Sequence, residues 1–315
     1  MCVKTLSAWK IGKKSNGKDN ITFTAPRSGK GEYVMLPCGQ CIECRLERSR
    51  QWAVRCMHEA SLHEENCFIT LTFNDENLDP YYSLRKRDFQ LFMKRLRKHL
   101  SASVSPSDKS CVRYFHCGEY GEEFERPHHH AILFGFDFPD KVLKVVRDGN
   151  HYYESPLLDK LWSDPVTGES YGFHEITSVT FETCAYVARY CVKKVNGEKA
   201  DEHYTYLDEQ GNFHKRVPEY STMSRRPGIG LGWFNEFKDT DVYAWDEIIV
   251  RGHKKCKPPR YYDRKYEESN PFEYSKIKEK RIDKIKNNPE NRFERQRVRE
   301  VVKVAQSKML KRSII

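Results

Sequence analysis

The amino-acid sequence predicts an α+β fold, with a sheet domain of about 200 residues and a basic C-terminal tail. Strand-like stretches alternate with amphipathic helical stretches, and no glycine-rich phosphate-binding loop is present. From residue 251 to 315 the chain holds 21 Lys and Arg against 9 Asp and Glu, whereas the first 250 residues hold 34 and 36. These observations predict three parts, which are an N-terminal extension (1–37), a main domain (38–250) and a tail (251–315).

Three helices are predicted from apolar residues that recur at helical spacing, and they cover 38–65, 83–100 and 180–195. Ser83 is the predicted N-cap of the second helix. The apolar face of that helix is formed by Phe89, Phe92, Leu96 and Leu100.

Three strands are predicted by alternating apolar residues, at 67–74, 111–121 and 128–138. Within residues 1–37 only the stretch "EYVMLPCG" has a strand-like pattern. The remaining predictions are short elements over 139–175, a hairpin around a turn at 208–212, a Gly/Pro-rich loop at 222–234, and an exposed helix or partly disordered arm at 275–315.

Composition limits the class of protein. No run of about 20 apolar residues is present, which argues against a membrane-spanning helix. The chain has 11 cysteines and the stretch from Met1 to Lys14 has no apolar core of a signal peptide, so reduced thiols in a cytoplasm are expected. The excess positive charge of the tail indicates a polyanionic partner such as nucleic acid, although a merely solvated basic tail would have the same composition.

Three consecutive histidines lie on the third predicted strand. Because alternate side chains of a strand share a face, His128 and His130 point to one side and His129 points to the other. A divalent ion needs at least one further ligand. Glu119, at the end of the preceding strand, fits that role better than Glu122 or Glu123, which fall in the connecting loop. An H-x-H pattern alone also fits surface or core histidines.

Two tyrosines, Tyr186 and Tyr190, are spaced i and i+4 on the third predicted helix, which places both hydroxyls on one face. Lys194 continues that face and Lys193 lies beside it. A phenol serves as a nucleophile when its proton is removed or its target is polarised. The same spacing is also typical of two tyrosines packed at a helix–sheet interface.

The order "FITLTFN", "GEYG", "PHHHAILFG" and "YVARYCVKK" resembles the HUH endonucleases of rolling-circle replication initiators. The sequence is most similar to the replication initiation proteins of gokushoviruses, which are single-stranded DNA phages of the Microviridae. That resemblance includes "PCGQCIECR", "WAVR" and "TMSRRPGIG" and covers about residues 36–235. It implies an HUH endonuclease domain at 38–250, built on a central antiparallel sheet flanked by helices with a ferredoxin- or RRM-like core and insertions.

The resemblance also implies site residues. His128, His130 and Glu119 match the divalent-ion ligands, with Mg²⁺ or Mn²⁺ expected. The catalytic residues it implies are Tyr186, Tyr190, Lys193 and Lys194. The first motif strand, which is structural or DNA-contacting in the family, holds Thr70, Thr72 and Asn74. His129 departs from the family pattern, because a hydrophobic residue usually stands between the two histidines.

The reaction implied by the resemblance is transesterification at a single-stranded origin of the viral DNA. A tyrosine forms a 5′-phosphotyrosine link and leaves a free 3′-OH that primes a polymerase, and the second tyrosine allows the strand to be closed into a circle. The implied partners are the single-stranded origin, the double-stranded replicative form, and a host helicase and DNA polymerase. The implied location is the cytoplasm of a bacterial host.

A cysteine-rich motif, C-x-x-C-x-x-C, consists of Cys38, Cys41 and Cys44. Three thiolates with a fourth ligand, such as Cys56 or His58, would form a structural Zn²⁺ site. The alternative is a set of buried or loosely arranged reduced thiols.

Two further groups have open interpretations. Arg225 and Arg226 could grip a DNA backbone or pack at the edge of the core. Tyrosines of the tail, interleaved with Lys and Arg, could stack on bases or dock the tail onto the domain; they are Tyr261, Tyr262 and Tyr266.

Two other classes of protein remain as alternatives. A non-catalytic DNA-binding protein with a zinc-stabilised cysteine module would not cleave DNA with any metal. A metal-dependent hydrolase using H-x-H would cleave DNA without a tyrosine nucleophile.

Overall fold

A computed structural model describes most of the chain, namely residues 2, 4–15, 19–103, 112–121, 123–189, 194–250, 252–286 and 288–309. The strands are β1 Leu6–Lys13, β2 Asp19–Thr22, β3 Glu32–Leu36, β4 Asn66–Leu71, β5 Arg113–Tyr120, β6 Pro127–Phe134, β7 Val142–Arg147, β8 Asn150–Glu154, β9 His174–Thr177, β10 Thr205–Leu207, β11 Phe213–Lys215, β12 Tyr220–Met223, β13 Ile248–Val250 and β14 Lys254–Cys256. The helices are α1 Ile42–Ala60, α2 Lys86–Ser103, α3 Pro156–Leu161, α4 Phe181–Ala188, α5 Lys199–His203, α6 Leu231–Phe237, α7 Tyr243–Trp245, α8 Arg260–Ser269, α9 Pro271–Lys286 and α10 Phe293–Lys308. A π-helical turn and a 3₁₀ turn lie at Lys238–Val242 and Pro289–Asn291.

The chain forms two compact units. One consists of Met1–Arg48 together with Phe272–Ile315, and the other is Ser49–Pro271, so the boundary falls within α1. Among the described residues, none of the helices is long and apolar enough to cross a bilayer.

The unit Ser49–Pro271 is built around a seven-stranded sheet in the order β12-β5-β6-β4-β9-β8-β7. Every neighbouring pair in this sheet is antiparallel. The predicted α+β class, with a central antiparallel sheet flanked by helices, is therefore confirmed.

One face of this sheet holds the main hydrophobic core. Ala131 and Leu133 of β6 point to this face and pack with Phe89 and Phe92 of α2. Trp162, which follows α3, is fully buried in the same cluster. The apolar residues of α2 recur at i, i+3, i+4 and i+7, as an amphipathic helix against a sheet requires, so the predicted apolar face of this helix is confirmed.

The opposite face of the sheet is covered by α4 and the second half of α1. Trp52 of α1 packs on Phe115 of β5, with ring centroids 4.8 Å apart. The two helices are joined by the Ser49 hydroxyl, which donates to the Ala185 carbonyl oxygen at 3.1 Å. Helix α4 begins with a capping box, in which Thr180 Oγ1 accepts from the Thr183 N–H and Thr183 Oγ1 accepts from the Thr180 N–H. This cap fixes where α4 starts and hence where Tyr186 lies.

The unit that contains the two chain ends has a small antiparallel sheet in the order β2-β1-β3. Within this unit α10 contacts the N-terminal segment, because Arg299 donates to Glu43 at 3.2 Å. The Tyr274 ring of α9 is buried. The C-terminal segment, over its described residues, is therefore helical and is folded with the N-terminal segment.

Several predicted boundaries in the first half of the chain are wrong. Residues 1–37 contain three strands and not one. Helix α2 begins at Lys86, and the Ser83 hydroxyl accepts from the Val217 N–H at 3.1 Å and is not its N-cap. Strand β6 ends at Phe134 because Gly135 adopts a left-handed φ of 76°, a backbone that glycine tolerates best.

Predicted elements in the second half of the chain also shift. The predicted loop at 222–234 includes the end of β12 and the start of α6. The predicted helix at 180–195 is described as α4 up to Ala188, and Lys194 has no helical conformation. The hairpin around 208–212 is confirmed by the antiparallel pairing of β10 and β11.

The tyrosines of α8 dock this helix within its unit. Tyr262 is fully buried and Tyr266 is nearly so, whereas Tyr261 is half-buried with the Arg55 guanidinium 3.9 Å from its ring centroid. Of the two interpretations of these aromatics, the structure supports docking for Tyr262 and Tyr266, since neither ring is accessible for base stacking.

His58 is a buried, uncharged histidine in this region. Its ring stacks on Trp233 at a centroid distance of 3.5 Å, and its Nδ1 is hydrogen-bonded to the Tyr262 hydroxyl at 3.0 Å. Burial lowers the pKa of His58 to about 3.

We expect His58 to make the protein sensitive to acid. The folded pKa of about 3 lies below the ordinary value of 6.5. The stabilisation is therefore complete above pH 6.5 and is lost as the pH falls towards 3, at up to about 1.4 kcal/mol per pH unit. Urea unfolding between pH 7 and 5 should give a shallower pH dependence for His58→Gln than for the wild type. The exposed control His151→Gln should follow the wild type, and equal slopes for all three proteins would contradict the expectation.

Candidate metal and tyrosine site

Pairing of the central strands brings the predicted ligands together. In the β5–β6 hairpin Glu119 is directly opposite His128, and Cys117 is opposite His130. In the β4–β6 pair Thr70 is opposite His130. Residues opposite one another in an antiparallel pair share a face, so Glu119, His128, His130 and Thr70 all point to the side covered by α4.

The three predicted ligand side chains converge on one carboxylate oxygen. Glu119 Oε1 lies 3.3 Å from His128 Nε2 and 3.4 Å from His130 Nε2. Glu119 and His130 are fully buried, while His128 is half-buried and faces outwards. One ligand atom from each residue lies within 4.8 Å of the others.

The tautomer of His128 shows what the group lacks on its own. His128 Nδ1 faces the Arg126 carbonyl oxygen at 3.0 Å, and a carbonyl only accepts, so Nδ1 carries the proton. A neutral ring therefore turns the lone pair of Nε2 towards the Glu119 oxygen. Two lone pairs repel, so either a second proton or a cation must stand between the two atoms.

The spacing also fits a divalent ion. Ligand atoms about 2.1 Å from an ion stand roughly 3 Å apart when they bind at right angles, close to the separations of Glu119 Oε1 from the two ring nitrogens. Two imidazoles and one carboxylate leave further positions open around such an ion. The residues present therefore fit a bound divalent cation.

His130 is oriented by Thr70. Its Nδ1 is hydrogen-bonded to Thr70 Oγ1 at 2.9 Å, and Thr70 is buried. A proton on Nδ1, donated to the hydroxyl, leaves the Nε2 lone pair for an ion, which is the usual arrangement around metal-binding histidines. Thr70 therefore faces a ligand and is not exposed to DNA, a contact that the sequence did not reveal.

Tyr186 lies against the same group. Its hydroxyl donates to Glu119 Oε1 at 3.1 Å, and its ring meets the His130 ring edge-on at a centroid distance of 4.9 Å. The side chain is only 5% exposed. The structure thus places the phenol of α4 in contact with two of the three ligand side chains.

The protonation states in this group are set by burial and by neighbouring charge. Burial raises the pKa of Glu119, but hydrogen bonds with His128 and His130 outweigh it and hold the pKa well below its usual range. Burial, followed by the negative charge of Glu119, raises the pKa of Tyr186. The carboxylate is therefore ionised while the phenol keeps its proton.

His129 belongs to the core on the other face of the sheet. Its Nδ1 is hydrogen-bonded to His116 Nε2 at 3.2 Å, and its ring meets Trp162 edge-on. Burial lowers the pKa of His129 to about 3, so the ring is neutral. This placement answers what the unusual middle histidine contacts, and strand alternation predicted its side correctly.

An open cleft of about 570 Å³ adjoins His128. Its lining residues come from the loop after β4, the start of β6 and the segment before β9, namely Thr72, Phe73, Asn74, Asp75, Glu76, Arg126, Pro127, His128 and Phe173. Thr72 donates to the Phe173 carbonyl oxygen at 3.0 Å, and Asn74 Oδ1 accepts from the Asn77 side chain at 2.8 Å. Of the predicted DNA-contacting residues of the first motif, Thr72 and Asn74 thus line a surface cleft.

The other predicted residues lie apart from this group or outside the description. Tyr190 and Lys193 fall outside the described residues. Lys194 is half-buried and is not helical, so the predicted helical stripe from Tyr186 to Lys194 is wrong. Arg225 and Arg226 are both exposed in the segment after β12.

The predicted cysteine motif gains a fourth cysteine from the start of the chain. The group with metal-binding spacing consists of Cys2, Cys38, Cys41 and Cys44. Neither Cys56 nor His58, the fourth ligands suggested by the sequence, is part of it. Cys56 is fully buried in the other unit, and His58 is hydrogen-bonded to Tyr262.

Comparison with known proteins gives the family. The model of a family described as replication-associated protein, of the ORF2 type, matches residues 66–195, which include Glu119, His128, His130 and Tyr186. Replication-associated protein VP4 of Bdellovibrio phage phiMH2K is 31% identical over 259 residues, which cover 81% of this chain and 75% of that relative. Replication-associated protein ORF2 of Spiroplasma virus 4 is 31% identical over 258 residues, which cover 78% of this chain and 72% of that relative. No solved structure gives a significant match. The chain belongs to the family of phage replication-associated proteins.

Proposed function

We propose that this protein initiates rolling-circle replication of a phage genome by nicking single-stranded DNA at the origin. The observation that carries the proposal is the shared oxygen Glu119 Oε1. It lies between the two histidines and accepts the Tyr186 hydroxyl. A nucleophile and a set of cation ligands thus meet at one point of the structure. The names of the relatives, all replication-associated proteins of phages or viruses, support a role in replication.

Glu119, His128 and His130 would hold Mg²⁺ or Mn²⁺. Such an ion would polarise the scissile phosphate and offset the charge that builds on its oxygens. The two imidazoles favour Mn²⁺ over Mg²⁺ as the more tightly bound ion, because nitrogen donors suit the transition metal better. The remaining open positions suit phosphate oxygens.

In the proposed reaction a tyrosine oxygen attacks the phosphorus atom. A tyrosyl O–P bond forms and the P–O3′ bond breaks, so the phosphodiester energy is kept in a 5′-phosphotyrosine link. The leaving oxygen takes up a proton and becomes a free 3′-OH. For Tyr186 the phenol proton passes to Glu119 Oε1, the acceptor that it already contacts. Tyr190 is the proposed second nucleophile, which cuts the regenerated origin so that the strand can be closed.

The cleft beside His128 is the proposed path of the DNA strand. Phe173, at its rim, is 70% exposed and offers a ring on which a base can stack. Arg126 lies in the cleft but is paired with Asp75 at 2.5 Å, so it is a weaker phosphate contact than a free arginine. We assign further backbone contacts to Arg225, Arg226 and the basic segment 251–315.

The proposed reaction defines the partners and place of action. The substrate is the single-stranded origin within the viral replicative form. A host helicase and DNA polymerase would unwind the duplex and extend the free 3′-OH. The work would take place in the cytoplasm of the bacterial host.

Thr70 provides a test of the proposed ion site that does not involve catalysis. Thr70→Val keeps the shape of the side chain but removes the hydroxyl that holds His130. We expect Mn²⁺ to bind roughly 10- to 100-fold more weakly, as is usual when a hydrogen-bond partner of a ligand is lost. Calorimetric titration with Mn²⁺ measures the change. Thr72→Val, in which the lost hydroxyl contacts the Phe173 carbonyl and no ligand, should bind Mn²⁺ like the wild type.

A nicking assay on single-stranded origin DNA, with and without Mn²⁺, tests the function as a whole. The proposal predicts ion-dependent cleavage in which one product remains attached to protein. A DNA-binding protein with a zinc-stabilised cysteine module would retard the DNA but never cut it. A metal-dependent hydrolase would cut it and leave no product on the protein.

A further inference from the structure

We propose that Cys2, Cys38, Cys41 and Cys44 form a four-thiolate site that binds one structural zinc ion. The site lies wholly within the unit formed by Met1–Arg48 and Phe272–Ile315. It is separate from the tyrosine site, and the inference does not depend on the proposed nicking activity.

Strand pairing brings Cys2 to the other three cysteines. Strands β1 and β3 are antiparallel, with Leu6 opposite Leu36. The start of β1 and the end of β3 therefore lie at the same end of the sheet. Cys2 stands four residues before Leu6 and Cys38 two residues after Leu36, so the fold returns the N-terminal segment to the C-x-x-C-x-x-C motif.

The sulfur separations match a tetrahedral ion. Four sulfurs bound at about 2.3 Å in a tetrahedron stand roughly 3.8 Å from one another. Cys2 Sγ lies 3.5 Å from Cys38 Sγ and 3.8 Å from Cys41 Sγ. All four sulfur atoms lie within 4.8 Å of one another. That space holds a single ion and is too small for a cluster of several metal atoms.

The backbone around Cys38 is arranged to support a thiolate. The N–H groups of Gln40 and Cys41 both donate to Cys38 Sγ, at 3.4 and 3.3 Å. The turn that directs them inwards has Gly39 at its start, with a φ of 74° that favours glycine. The Cys38 N–H in turn donates to Cys2 Sγ at 3.2 Å. Hydrogen bonds from backbone N–H groups stabilise the negative charge that metal-bound sulfur retains.

The remaining two sulfurs lie at the start of α1. Cys41 immediately precedes the first helical residue, Ile42, and Cys44 is in the first turn. The N-terminal end of a helix favours negative charge, which reduces the cost of holding several thiolates together. Four converging thiols also exceed what a disulfide requires, since a disulfide would occupy two of them and leave the other two without a role. Zinc is the ion that an all-thiolate tetrahedral site of this size selects.

Zinc content of the purified full-length protein tests the inference. After removal of loosely bound metal, the wild type and His128→Ala, His130→Ala should each retain one zinc ion per chain, because the histidine site is not the one filled. Cys2→Ser and Cys41→Ser should lose most of that zinc. Cys256→Ser, at a cysteine outside the group, should keep it. No retained zinc in the wild type, or full retention by Cys2→Ser, would overturn the proposal.

Cobalt substitution gives a second measurement on the wild-type chain, which remains decisive if a cysteine variant folds poorly. Co²⁺ in a four-thiolate site should give intense thiolate-to-metal charge-transfer absorption and the visible bands of a tetrahedral ion, and zinc should displace it. Weak octahedral bands without thiolate absorption would refute the site. Because neither measurement involves DNA cleavage, a failure here is distinct from a failure of the proposed nicking reaction.

Discussion

Glu119→Gln should slow the nicking of origin DNA by on the order of 10³-fold, because it removes the only anionic group at the meeting point of His128, His130 and Tyr186 in the described structure. Glutamine keeps the size of the side chain but binds a divalent cation weakly. A bound cation contributes several kcal/mol of transition-state stabilisation, and each 1.4 kcal/mol is about tenfold in rate. Single-turnover cleavage of a labelled oligonucleotide at fixed Mn²⁺ concentration measures the change.

The matched control for this variant is Glu123→Gln. Glu123 is exposed in the hairpin loop between β5 and β6, only four residues from Glu119. It carries the same charge but lies outside the ligand group, so its loss should leave the rate within about twofold of the wild type, as a surface charge change usually does. Equal rates for Glu119→Gln and Glu123→Gln would show that Glu119 has no part in cleavage.

Tyr186→Phe and Tyr190→Phe should separate the first cut from the closing of the circle. Each single variant retains one phenol, so we expect it to form a protein-linked product. Neither has a second phenol to cut the regenerated origin, so closed circles should fall by several orders of magnitude. A replication assay with a circular template and purified host proteins measures both products.

Tyr153→Phe is the control for these variants, since it removes a tyrosine hydroxyl from β8, outside the ligand group. It should form circles like the wild type. Normal circle formation by Tyr186→Phe would instead show that the buried phenol beside Glu119 is a structural hydrogen-bond donor.

The elements that the sequence predicted well are those whose signals are local. Helix α2 has its apolar residues at helical spacing against a buried sheet face, so its pattern was readable. The choice of Glu119 over the loop glutamates was also local, because a short hairpin joins β5 to β6 and places Glu119 opposite His128. Alternation along one strand was sufficient to turn His129 towards the core.

The contacts that the sequence did not predict depend on pairing between distant segments. Thr70 meets His130 only because β4 pairs with β6 in one register, and no local pattern encodes that register. Strand β1 was missed because nearly all of its side chains are exposed or half-buried and Ala8 alone is fully buried, so there was little alternation to read. Without β1, nothing in the sequence could bring Cys2 to Cys38.

The most direct test of the account is whether DNA becomes covalently attached to the protein through these tyrosines. The measurement is denaturing gel electrophoresis of a 3′-labelled origin oligonucleotide after incubation with Mn²⁺ and either wild type or the double variant Tyr186→Phe, Tyr190→Phe. The account predicts a labelled protein band with the wild type and none with the double variant, while both proteins bind the uncut oligonucleotide. A labelled band of wild-type intensity from the double variant, or cleavage by the wild type without any attached product, would contradict it.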